Sequence, residues 1–258
     1  MAGDDRGPCY RPGVADDRTS SDERPGDLPV LPPVDPDKAR VAPGDLTPEI
    51  LAAFLTDGNE PVARWALSQL LAGQPRAVIY DTFLRETMSI VGERWASGRW
   101  TISEEHLATQ TLARVLTSLA PEDTQAQRVG PQAVLAGVAG EEHSIGLILL
   151  DHLLREGGWS VAQLGPNVPV DDLVRFVAKF GARLVALTAS HAERTETLHD
   201  TIAALRALPS APRIMIGGRI VDIADPCALG ADWTGTSVRE AARFADGLRA
   251  ELMDSTYS

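Results

Sequence analysis

A chain of 258 residues, 44% hydrophobic and 23% charged, has the composition of a globular protein with ample material for a core, which excludes wholesale disorder and fibrous classes. Its formal charge of −12 disfavours nucleic acid, because affinity for phosphate backbones comes largely from Lys and Arg displacing condensed counterions. Cys9 and Cys227 lack the spacing of a zinc or redox pair, and the longest apolar run, Ile145 to Leu150, is far too short for a bilayer span. A cytoplasmic protein without a membrane partner is expected.

Residues 1–45 carry eight prolines among many Asp and Arg residues, so a Pro/Asp-rich disordered arm is expected there. From Thr47 the pattern becomes helical. Thr47-Pro48-Glu49 supplies a capping hydroxyl, a proline at the first helical position and an acid in the first turn. Apolar spacing predicts a short first helix over Ile50 to Leu55 and a second from Val62 to about Gly73. A third is predicted from about Arg76 to Gly98 and a fourth from about Ser103 to Leu119. Four helices with short links, over 46–120, predict a bundle.

Residues 121–131 have the composition of a linker, and over 132–254 the period changes. Short apolar runs at Ala133 to Val138, Trp159 to Ala162, Leu184 to Leu187 and Ile214 to Ile216, with Ala231 to Trp233 as a further candidate, alternate with helical stretches. Such alternation predicts a Rossmann-like α/β domain with a doubly wound parallel sheet. Ligands of these sheets sit beyond the carboxyl ends of the strands, which directs attention to the loops there.

Three of those loops carry chemistry. The first reads Gly140-Glu141-Glu142-His143-Ser144-Ile145-Gly146, the second Thr188-Ala189-Ser190, and the third Gly217-Gly218. Taken singly, His143 reads as a surface histidine, Gly217-Gly218 as a turn, and Glu141 and Glu142 as acids stabilising a helix N-terminus. Taken together, the spacing resembles the cobalamin-binding domain family: acid-x-His-x-x-Gly, about forty residues, Ser-x-Leu, then Gly-Gly. Glu stands here for the usual Asp at 141, and Thr-x-Ser for Ser-x-Leu at 188–190. The resemblance implies that His143 is the lower axial ligand of cobalt, displacing the cofactor's own base, with Glu141 fixing the ring's tautomer. Ser144 and Ser190 belong to the same loops. Thr188 would offer a hydroxyl to the displaced nucleotide tail, for which Gly146 leaves room and Gly217 and Gly218 allow close backbone approach.

A second constellation lies in the helical part, where nine residues separate Trp95 from Glu105-His106. Singly, Trp95 reads as bundle core, Glu105 as a first-turn acid and His106 as a partly buried polar residue. The spacing resembles the Trp-x9-Glu-His signature of CarH-type cobalamin photoreceptors, with Trp100 an unusual aromatic in the intervening loop. In that family the corner covers the upper face of the corrin and packs on an adenosyl group. His152 and His199 are expected on solvated helix faces, and His191, just after Ser190, as a residue lining the site.

The resemblance covers about residues 47–250. The family's MerR-like DNA-reading domain has no counterpart pattern in the acidic arm. What it implies is a binding and signalling module with no catalytic residues. Such a module would take adenosylcobalamin and signal through a regulatory protein partner or a second copy of itself, without contacting DNA. Photocobilin-like relatives add a bilin such as biliverdin, held noncovalently here because no cysteine lies in the bundle. The other reading left open is the corrinoid carrier of a methyltransferase system, which has the same order of bundle and sheet.

Overall fold

The computed structural model describes residues 45–122, 125, 129–225 and 230–254. The arm expected over 1–45, apart from Asp45, lies outside these residues, as do Cys9, Cys227 and part of the 121–131 segment. Among the described residues no helix is long and apolar enough to cross a membrane.

The helical half begins as its local signals dictate. In α1 (Pro48–Thr56) the Thr47 hydroxyl accepts the Ile50 N–H, and in α2 (Glu60–Gly73) the Asn59 side chain accepts that of Val62. The predicted third helix is one rod in three parts: α3 (Arg76–Ile79), a π turn (Tyr80–Leu84) and α4 (Arg85–Ala96). Helical periodicity does not announce the π turn, which inserts one residue into the helix and changes which side chains share a face. Helix α5 (Ile102–Ser118) opens with a reciprocal capping box. Glu104 accepts the Thr101 N–H at 2.6 Å, while the Thr101 hydroxyl accepts the Glu104 N–H at 3.3 Å. Such a cap contributes about 1 kcal/mol and fixes where α5 starts.

The second half is a five-stranded, all-parallel sheet in the order β2-β1-β3-β4-β5. Its strands are β1 (Gln132–Val138), β2 (Ser160–Val168), β3 (Leu184–Thr188), β4 (Arg213–Gly217) and β5 (Trp233–Thr234). Between them run α6 (Ile145–Glu156), α7 (Val170–Phe180) and α8 (Thr195–Arg206), and α9 (Val238–Asp254) is the last described helix. This confirms the predicted doubly wound architecture. From Ala133 onward β1 is apolar because both its faces are covered. Val134, Ala136 and Val138 pack on one side with Leu173 and Val177 of α7 and Leu198 and Ile202 of α8. Ala133 and Leu135 pack on the other with α6 and α9.

Helix α6 is shared between the halves. Leu147, Leu150 and Leu154 face the sheet, whereas Leu149 and Leu153 enter the core of the helical half, beside Leu112 and Val115 of α5. Two apolar stripes on one helix account for its Leu-rich sequence. They also correct the expectation for His152, which is 2% exposed: the face expected to meet water meets the bundle. His199, on α8, is exposed as expected.

Candidate cofactor site

The strand order reverses between β1 and β3, so a crevice is expected beyond their carboxyl ends. Gly137, Thr188 and Gly217 stand in one row at the ends of three adjacent strands, as the pairings Gly137 with Thr188 and Thr188 with Gly217 show. The β1–α6 loop, with Glu141 and His143, rises beside this row.

Glu141 is 1% exposed. Its Oε1 accepts the His143 backbone N–H at 2.8 Å and meets the ring Nδ1 at 2.5 Å. Burial alone would push this carboxyl up, but the hydrogen bonds from His143 outweigh it and carry the pKa down to about 2. The same bond raises the His143 pKa, with burial opposing and the Glu105 charge adding to the rise. The His143 side chain is 66% exposed, so its ring is anchored at one edge and open at the other. In the neutral ring the anionic Glu141 keeps the proton on Nδ1, and Nε2 presents its lone pair outward.

The remaining loop residues differ in their own contacts. Ser190, nearly buried, is one of the groups that lower the Glu141 pKa. Ser144 precedes α6, and its side chain makes no cap hydrogen bond. Gly218 has φ of +89°, and a Cβ there would overlap the Ala189 carbonyl and lie 2.9 Å from the Thr188 hydroxyl oxygen. At Gly146 a Cβ would meet nothing within 4 Å, so open space borders the first turn of α6.

One residue of the helical corner, Glu105, acts on this loop. Glu105, on the first turn of α5, accepts from Thr109 at 3.0 Å and contacts His106 Nδ1 at 2.6 Å. Because the Glu105 charge acts on His143, two motifs far apart in sequence are electrostatic neighbours. Trp95 is 48% exposed at the end of α4, which corrects its reading as bundle core. Trp100 is half-buried, with the Arg94 guanidinium 4.7 Å above its ring centroid.

Sequence reasoning missed Asn167, the one described non-glycine residue with positive φ, at +56°. Its Oδ1 accepts the Gly140 N–H at 2.7 Å and so ties the end of β2 to the histidine loop. Asn is the residue type that tolerates such a φ, and that was the only local signal. His191, expected as a lining residue, stands beside His143. Its ring centroid lies 5.6 Å from that of His143, and donor atoms of Glu141, His143 and His191 all fall within 4.8 Å of one another.

Two family models, each described as a B12 binding domain, match residues 49–120 and 131–243. The HTH-type transcriptional repressor CarH of Myxococcus xanthus is 35% identical over 162 residues, which cover 62% of this chain and 53% of CarH. Dimethylamine corrinoid protein 3 of Methanosarcina mazei is 26% identical over 168 residues, covering 63% of this chain and 100% of that protein. The chain therefore spans about half the length of the curated repressor it matches. Among solved structures, the Methanosarcina barkeri monomethylamine corrinoid protein shares the fold, with a TM-score of 0.63 at 23% identity over 77% of this chain and 96% of that one.

Proposed function

The chain belongs to the B12-binding family, and on that premise we propose that it is a cobalamin-dependent light sensor that takes adenosylcobalamin base-off, with His143 as the lower axial ligand. The observation that carries this is the buried, anionic Glu141 clamping Nδ1 of an imidazole whose other edge is open. That donor arrangement suits a soft transition metal held by one neutral histidine. A photolabile cobalt–carbon bond is the chemistry that the cofactor supplies when bound.

The chain's own residues do the rest. Glu141 holds the proton on Nδ1 and thereby keeps the lone pair of Nε2 available. Gly146 leaves space for the nucleotide tail, the Gly217-Gly218 turn lets backbone pack close against Ala189 and Thr188, and Thr188 offers the tail a hydroxyl. Exposed Trp95, with Glu105 and His106 from the start of the next helix, would present an aromatic wall with polar edges, a surface suited to a nucleoside. Loss of the nucleoside would remove that wall's ligand and let α4 and α5 shift against the sheet half, a change built on differential contact with two ligand states. The output is contact with a protein partner or a second copy, and a noncovalently held bilin is the second chromophore this reading accommodates.

A corrinoid carrier of methyl groups is the second reading, favoured by the match over the full length of a methylamine-pathway corrinoid protein. A methyl group calls for no half-exposed tryptophan at the corner, which is why the sensor reading is preferred. The deciding experiment is to reconstitute the full chain with adenosylcobalamin in darkness, illuminate it, and follow absorption and hydrodynamic size together. A light-driven change in both is expected. A light-stable complex of constant size would reject the sensor in favour of the carrier.

A further inference from the structure

His191 has no role in the reading above, yet its imidazole stands beside that of His143. Donor atoms of Glu141, His143 and His191 lie within 4.8 Å of one another, and the two rings are tilted at 37° with centroids 5.6 Å apart. Two imidazoles and a carboxylate are the ligand types of an open zinc site, and imidazole also suits nickel and copper. Ligand atoms on a tetrahedral ion with bonds of about 2.0–2.1 Å sit roughly 3.4 Å apart, so donor pairs as wide as 4.8 Å must close, while Glu141 Oε1 and His143 Nδ1, 2.5 Å apart across their hydrogen bond, must open. His143 and His191 are both exposed, on the loops after β1 and β3, and rotation of their side chains supplies that movement. Glu141 stays held by the His143 backbone N–H and forms the buried floor. Of the neighbouring charges that act on His143, Glu105 favours a cation and Arg219 opposes it.

We propose that Glu141, His143 and His191 form a site for a divalent transition-metal ion of the zinc, nickel or copper type in the cofactor-free protein. An ion shared by Glu141 and His143 sits at the Nδ1 edge of the ring, displaces the Nδ1 proton and leaves the neutral ring's proton on Nε2, where the cobalamin reading needs a lone pair, so ion and cofactor exclude one another and a bound ion slows cofactor loading. The ion site itself stands without that reading, whereas the competition rests on it.

The test uses the metal-stripped, cobalamin-free full chain, titrated with zinc chloride by calorimetry and with cobalt(II) chloride by visible absorption. One ion per chain is expected, with a cobalt(II) d–d spectrum of low coordination number. His191→Ala and His143→Ala should each weaken binding by about tenfold or more, while His199→Ala, on an exposed face of α8, should leave it unchanged. Thermal melting of each variant confirms that it is folded. Zinc affinity equal in His191→Ala and the parent chain would overturn the proposal, as would the absence of a stoichiometric ion. In a separate arm, zinc-loaded and stripped protein are mixed with hydroxocobalamin. Slower uptake by the loaded form supports the competition. Equal uptake with intact zinc binding rejects the shared ligand and leaves the ion site standing.

Discussion

The Tyr80 hydroxyl and His152 Nδ1 are 2.6 Å apart in the interior, joining the first residue of the π turn to the middle of α6. Arg76 donates to the same hydroxyl at 2.8 Å, so Tyr80 accepts from Arg76 and donates to His152. Arg76 also reaches Glu156 of α6 at 2.7 Å and the Leu119 carbonyl at the end of α5 at 3.0 Å. The next residue of the π turn, Asp81, accepts from Ser237, which in turn caps the first turn of α9. Successive residues of one π turn thus grip two helices of the sheet half. Tyr80→Phe strands a buried ring nitrogen and weakens the Arg76 anchor, and should cost about 1–3 kcal/mol in urea unfolding.

His152 gives this junction a pH dependence. Burial, with Arg76 and Arg155 adding to it, lowers its pKa to about 4. The fold holds the neutral ring, while the unfolded chain takes up a proton near the ordinary value of about 6.5. Stability is therefore full above about pH 6.5, declines as the pH falls, and levels off below about 4, by at most about 3 kcal/mol. Urea midpoints measured between pH 4 and 7 should follow this slope, and the slope should flatten in His152→Gln.

At the histidine loop, Glu141→Gln removes the charge that fixes the imidazole proton. Cobalamin affinity should fall by about 10- to 100-fold, the usual cost of losing such a partner, as read by equilibrium dialysis. Because the Glu141 bond raises the His143 pKa, binding should weaken in the parent chain as the pH falls through that raised value and protonates Nε2. Loss of Glu141 should move this midpoint toward lower pH.

Gly146 separates cofactor binding from folding. A Cβ there meets no protein atom within 4 Å, and a helix gains about 1 kcal/mol when glycine is replaced. Gly146→Leu should therefore keep or raise the melting temperature while abolishing cobalamin binding. Retained binding would show that the space beside α6 is not used by the nucleotide tail.

Trp95 offers the complementary test at the corner. Half-exposed, it contributes little to the core, so Trp95→Ala should change unfolding free energy by less than about 1 kcal/mol. Affinity for adenosylcobalamin should drop relative to methylcobalamin, because only the former presents a nucleoside to the wall. Equal losses for both forms would count against that role.

Local and linear features were legible in the sequence. The cap at Thr47 acts within one helical turn, the apolar runs of β1, β3 and β4 reflect burial on both faces, and the Glu141, His143, Gly146, Thr188 and Gly218 spacing is a property of order along the chain. Tertiary structure alone decided which faces were covered twice. It buried His152 by laying α6 between two cores, placed Glu105 within electrostatic reach of a histidine on another half of the chain, and set His191 beside His143. Those outcomes depend on partners tens of residues away, and periodicity along one element carries no information about what packs against its second face.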